Sequence, residues 1–200
     1  MTKLRGIVVG VPVTVDFWLV AMVLAVLLTQ RGLLFWYFLL PVLLHESGHL
    51  LAMALCGVKI EAIACTAFSI DIQRGGQSMG LGKEMFIALA GIITNGLMAV
   101  GLYFFAFPSL RVMLFTMVNV AVALFNLAPI GDLDGGQVLR IILSHTGSHH
   151  MAYAVSRWAS FLLLAPLFGV GIYLVLQDMS QFSLLLVCLY LAGRVLASRY

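Results

Sequence analysis

The 200-residue chain is 62% hydrophobic and only 10% charged, with a mean hydropathy of +1.09. A soluble domain carries about 25% charged residues, so this chain cannot clothe itself for water, and the bilayer is its natural solvent. The net charge is +3 and the eleven Lys and Arg are scattered singly, which leaves no basic stripe for nucleic acid.

The N-terminal residues 1–5 are short and basic. The apolar run after them exceeds the roughly 7–15 residues of a secretory core and lacks a small-residue cleavage site, so a retained first span is expected rather than a signal peptide. Apolar stretches predict about six transmembrane helices, at 7–29, 33–56, 85–107, 112–128, 153–176 and 181–198. Asp16 falls early in the first of these, at the interface. Phe35, Trp36, Tyr37 and Phe38 form an aromatic belt at the outer end of the second.

Residues 58–74 are rich in β-branched side chains with partial alternation, and Gly75 and Gly76 follow. They predict one or two strands between the second and third spans. A lone strand has an unpaired edge, so it belongs at the interface or in a cavity where another chain can pair with it. Residues 129–136 are rich in breakers, and 137–144 predict a short interfacial helix. Cys56, Cys65 and Cys188 form no CxxC pair and read as buried thiols. The expected fold is a membrane, all-α protein with a small β-strand segment, in a single domain over 1–200.

Six spans partition the basic residues sharply. Lys3, Arg5, Lys59, Arg74, Lys83, Arg140, Arg157, Arg194 and Arg199 fall on one side, Arg31 and Arg111 on the other. The positive-inside rule makes the richer side cytoplasmic and puts both termini there.

The second span carries His45, Glu46 and His49 in the run HESGH. Ionisable groups in hydrocarbon are costly and face a cavity or a partner. Positions i and i+4 share a helix face about 6 Å apart, so both imidazoles can reach one zinc ion. Glu46 lies about 100° round the helix, beside the metal, where it can take a proton from an attacking water. Zinc catalysis needs a third protein ligand. Asp178 falls on the wrong side, while Glu61, Asp71 and Glu84 lie in or near the strand segment. The fourth span runs the same way as the second, so the loop behind it can return to the histidines. Both Asp132 and Asp134 satisfy this, and Asp134, followed by Gly135 and Gly136, has the freer backbone.

HESGH in an apolar span, followed about 80 residues later by NLAPIGDLDG at 126–135, resembles the site-2 protease family of intramembrane metalloproteases, whose signatures are HExxH and NxxPxxxLDG. AGIITNG at 90–96 is similar to the family's Gly-Pro-x-x-Asn segment, with Ile92 in place of the proline. The resemblance implies one Zn2+ per chain held by His45, His49 and Asp134, with Glu46 as general base. It gives Asn126 a substrate-holding or carbonyl-polarising role and lets Pro129 shape the loop. Asp132 falls at a variable position and becomes a neighbour of the ligands.

The implied activity is endoproteolysis of a transmembrane or membrane-tethered protein, as in regulated intramembrane proteolysis that releases a transcription factor, with a regulatory membrane partner. The sequence contains no PDZ insertion or CBS domain and so resembles the small bacterial members, including the sporulation-associated branch. The expected location is a bacterial cell membrane.

Two other readings compete. His45 and His49 with His145, His149 and His150 resemble two histidine boxes of a membrane di-iron hydroxylase or desaturase. Such enzymes need about eight histidines and this chain has five. A non-catalytic relative that binds membrane proteins without cutting them would not need an intact base and ligand set.

Overall fold

In a computed structural model of the chain, residues 3–8, 11–16, 34–65, 70–74, 79–107, 109–131, 133–179 and 182–197 are described. The elements run β1 (Lys3–Val8), β2 (Val11–Asp16), α1 (Leu34–Leu55), β3 (Ile60–Cys65), β4 (Ile70–Arg74), α2 (Leu81–Phe105) and α3 (Leu110–Leu127). They continue through α4 (Asp134–Thr146), α5 (His149–Gln177) and α6 (Ser183–Ala197).

The protein is mostly helical. Within these elements, Trp36–Leu55, Leu81–Phe105, Leu110–Leu127 and His150–Gln177 are long and apolar enough to cross a membrane. A shorter apolar stretch, Leu184–Leu196, lies where the sixth span is expected but does not reach the length of these four. Leu97, Trp158 and Leu162 stand 68%, 74% and 77% exposed. Such an outer surface suits hydrocarbon and not water. Side-chain hydroxyls inside the helices are satisfied locally: Thr94 donates to Ala90 O and Thr116 to Val112 O, both at 2.8 Å. Ser109 caps α3 by accepting the Val112 N–H.

The expected first span, 7–29, is corrected at its start, because residues 7–8 and 11–16 are strand. The rest of that segment lies outside the described residues. The sequence from Ile7 to Val15, IVVGVPVTV, reads as a nearly continuous apolar run, and periodicity cannot separate such strands from a buried helix. Lys3 and Asp16 are paired at the end of this hairpin, so Asp16 closes a strand rather than opening a helix.

The strand segment after α1 also gains partners that the sequence did not indicate. The sheet has four strands in the order β1-β2-β3-β4. β2 and β3 run parallel, with Val13 opposite Ile63, while β3 and β4 are antiparallel with an irregularity between Ile60 and Ala62. The lone-strand problem is thus solved for β3, which lies inside the sheet.

Two clusters organise the core. Ala52, Met53, Val58, Ile87 and Ala90 join the C-terminal end of α1 to the N-terminal part of α2. Ile130, Leu164, Leu191 and Val195 pack the segment after α3 against α5 and α6. Tyr37 packs edge-on against Phe115 at 6.1 Å between ring centroids, so α1 and α3 also meet.

Candidate metal centre

HESGH lies midway along α1, and small residues bring α2 against it. A Cβ on Gly48 would strike Thr94 Oγ1 and lie 2.8 Å from Ala90 O, so only glycine permits this approach. Asn95, wholly buried on α2, donates from Nδ2 to Pro41 O at 3.2 Å. Pro41 lies one helical turn before His45, so this bond ties the two helices beside the histidines.

The chain then returns to the site by a tight path. α3 ends at Leu127, Ile130 is buried, Gly131 turns with φ +46°, and α4 begins at Asp134. A Cβ on Gly135 would collide with Leu127 O, and one on Gly136 with Gly131 O. These glycines let the start of α4 fold directly onto the end of α3. Asp134 is therefore the first residue of a helix, where a carboxylate is favoured by the unpaired backbone N–H groups.

His45 Nε2 is 3.0 Å and His49 Nε2 is 3.2 Å from Asp134 Oδ2, and the two nitrogens are 3.3 Å apart. In a tetrahedral zinc site with bonds of about 2.0–2.1 Å, neighbouring ligand atoms stand about 3.3 Å apart. The triangle therefore matches one face of that tetrahedron to within a few tenths of an ångström.

The chemistry fits as well as the spacing. His49 Nδ1 donates to Ile87 O at 2.8 Å, which turns the other ring nitrogen, Nε2, toward Asp134 Oδ2. A ring nitrogen and a carboxylate oxygen at that distance share a proton or a metal ion. A Cβ on Gly91 would meet His49 Nε2 and come within 2.6 Å of His45 Nε2, so a missing side chain keeps this space open. His45 and Asp134 are 3% and 6% exposed, and burial on that scale requires a charge partner for the carboxylate.

Among the described residues, His45, His49 and Asp134 are the one group of three with converging metal-ligand atoms. Glu46 is half-buried and follows His45 directly in the same helical turn. Asn126 is half-buried near the end of α3, and its Nδ2 donates to Val122 O at 3.0 Å within its own helix. Glu61 and Asp178 are exposed and join no such group, while Asp132 lies outside the described residues. His145 and His150 are also exposed and do not join, which removes the support for paired histidine boxes among the described residues.

The Ile87 carbonyl, the space at Gly91 and the contacts that hold Gly131 are not legible in the sequence. The adjacent small residues Ala90 and Gly91 were a visible hint of close helix approach.

Comparison with known proteins agrees with this geometry. Residues 109–169 match the model of peptidase family M50. Rip3 of Mycobacterium tuberculosis, a zinc metalloprotease by its name, is 30% identical over 152 residues, covering 71% of this chain and 36% of Rip3. A zinc metalloprotease of Methanocaldococcus jannaschii is 29% identical over 192 residues, covering 86% of this chain and 56% of the relative. The chain thus spans about a third to just over half the length of these relatives. The solved site-2 protease from Methanocaldococcus jannaschii superposes with a TM-score of 0.71 at 22% identity, covering 100% of this chain and 96% of that one. The chain thus has the site-2 protease fold, and its residues 109–169 match peptidase family M50.

Proposed function

We propose that this chain is an intramembrane zinc endopeptidase of one domain that cleaves a transmembrane or membrane-tethered protein. The observation that carries the reading is the convergence of His45, His49 and Asp134, with Glu46 alongside, midway along a membrane-length helix. A soluble substrate would have no route to such a position, whereas a membrane segment shares its depth.

His45, His49 and Asp134 would hold the ion, leaving a coordination position free of protein. Zinc held there supplies Lewis acidity at the scissile carbonyl and at an attacking water. Glu46 takes the proton of that water as it adds to the carbonyl carbon, and delivers it to the amine nitrogen as the C–N bond breaks. Asn126 would polarise the carbonyl after releasing Val122 O, so its role requires a side-chain rotation on substrate binding. A helical substrate hides its peptide bonds and must unwind. β4 ends the strand order, and its outer edge offers backbone groups that could hold an unwound segment by strand addition.

The reading includes a bacterial cell membrane, cytoplasmic termini, a regulatory membrane partner and possession of one zinc ion per chain. Its test is metal analysis of purified wild-type, Glu46→Gln and Asp134→Asn proteins, with cleavage of a membrane substrate measured on the same samples. Glu46→Gln should retain zinc and lose cleavage by at least about 100-fold, consistent with loss of a general base. Asp134→Asn should lose both. Full cleavage by Glu46→Gln would sink the mechanism.

A further inference from the structure

Asp134 is the one member of the metal group that does not lie on a membrane-length helix. Its position depends on the turn just before it, and that turn is gripped at a single residue. The Gly131 N–H donates to the Ser160 hydroxyl of α5 at 2.8 Å. The Gly131 carbonyl accepts from Arg140 Nη1, two turns into α4, at 2.7 Å. Ser160 is fully buried and its own O–H donates to Ser156 O at 2.7 Å. With that proton committed, the oxygen presents its lone pair to Gly131.

Sterics close the remaining sides. Gly131 has φ +46°, and a Cβ there would stand 2.8 Å from Val195 Cγ2 on α6. The packing of Ile130 against Leu164, Leu191 and Val195 confines the turn but sets no direction. The two hydrogen bonds do, because each accepts only one rotation of its peptide group.

We propose that Ser160 is a positioning residue for the metal centre. Through the Gly131 N–H its hydroxyl sets where the Asp134 carboxylate stands against His45 and His49. This rests on the metal-centre reading above. Without the hydroxyl, the Gly131 N–H faces apolar surroundings, the peptide turns to find another acceptor, and Asp134, three residues on, moves with it.

The test uses the full chain in detergent, as wild type, Ser160→Ala, Ser160→Thr and Ser156→Ala. Ser156 is one turn away on the same helix, is also buried, and gives only its carbonyl to Ser160, which alanine keeps. Zinc affinity is measured by competition with a chelator, and ligand geometry by the visible spectrum of the Co2+-loaded protein. Ser160→Ala should bind zinc about 10-fold more weakly, as removal of an outer partner of a metal ligand commonly does, and should shift the Co2+ bands. Ser156→Ala should do neither, and the two alanine variants should melt alike without metal. Ser160→Thr, whose hydroxyl can make the same bond to the preceding turn, should bind as wild type does.

Wild-type affinity and spectrum in Ser160→Ala would overturn the inference. So would an equal loss in Ser156→Ala or in Ser160→Thr, since either would make the effect one of packing. A wild-type protein that binds no metal would instead overturn the metal-centre reading, and this inference with it.

Discussion

Gly91 does as much for the His45, His49 and Asp134 group as any of its three side chains, by contributing nothing but space. Its Cα faces both histidines, and any Cβ would occupy the region between His49 Nε2 and His45 Nε2. Gly91→Ala should therefore reduce zinc from one ion per chain to near none by elemental analysis. Gly96, on the same helix, provides the control, since a Cβ there meets nothing within 4 Å. Gly96→Ala should keep its zinc and gain up to about 1 kcal/mol from helix propensity. Equal zinc in both variants would refute this role for Gly91. The contrast also explains what was legible at this scale. His45, Glu46 and His49 announce themselves because ionisable groups are out of place in hydrocarbon, whereas Asp134 lies in the breaker-rich segment after the fourth expected span and was separated from Asp132 by its place in the NxxPxxxLDG pattern. A carbonyl such as that of Ile87, or a side chain that is missing, has no chemical signature to read.

Between elements, two of the contacts that hold α1 to α2, the close approach at Gly48 and the Asn95 hydrogen bond, differ in magnitude. Hydrogen bonds between membrane helices average about 0.6 kcal/mol, because the alternative state also finds partners. Overpacking a close contact typically costs about 1–3 kcal/mol. Gly48→Ala would press a methyl onto Thr94 and the Ala90 carbonyl, and backbone cannot step aside. Asn95→Leu would remove the bond to Pro41 O, but it also removes a buried amide oxygen that has no donor. Gly48→Ala should thus be the more destabilising of the two when both are unfolded in mixed SDS micelles. The reverse order would mean that polar bonding, not close packing, governs this helix pair. Helix lengths were readable because α1, α2, α3 and α5 are long apolar runs. The hairpin β1–β2 was not, since the run from Ile7 to Val15 is almost entirely apolar and leaves period 2 and period 3.6 indistinguishable. Its partner β3 lies some 50 residues on, and such long-range pairing leaves no local trace.

For the whole molecule, the sheet supplies an argument about orientation that charge counting lacked. β1 and β2 share one sheet with β3 and β4, so Lys3 and Arg5 lie on the same side of the helices as Lys59 and Arg74. Lys83 opens α2 beside them, and its Nζ reaches Cys56 O at 3.5 Å. Arg111, in the first turn of α3, is at the opposite end of the α2–α3 hairpin. The charge asymmetry therefore survives the loss of the helical start expected at 7–16, because the hairpin that replaces it stays with the basic side. Positive charge on short connections near helix ends selects the cytoplasm, so the sheet side should face inward. Single cysteines placed in a variant lacking the native three can test this with a membrane-impermeant thiol reagent. Phe107→Cys, between α2 and α3 and 93% exposed, should react in intact cells, whereas Glu61→Cys on β3 should react only after permeabilisation. The opposite pattern would reverse the molecule in its membrane. Reaction of both in intact cells would break the link between the sheet and the basic side. The expected pattern would mean that a substrate edge-paired with β4 approaches the metal centre from the cytoplasmic half.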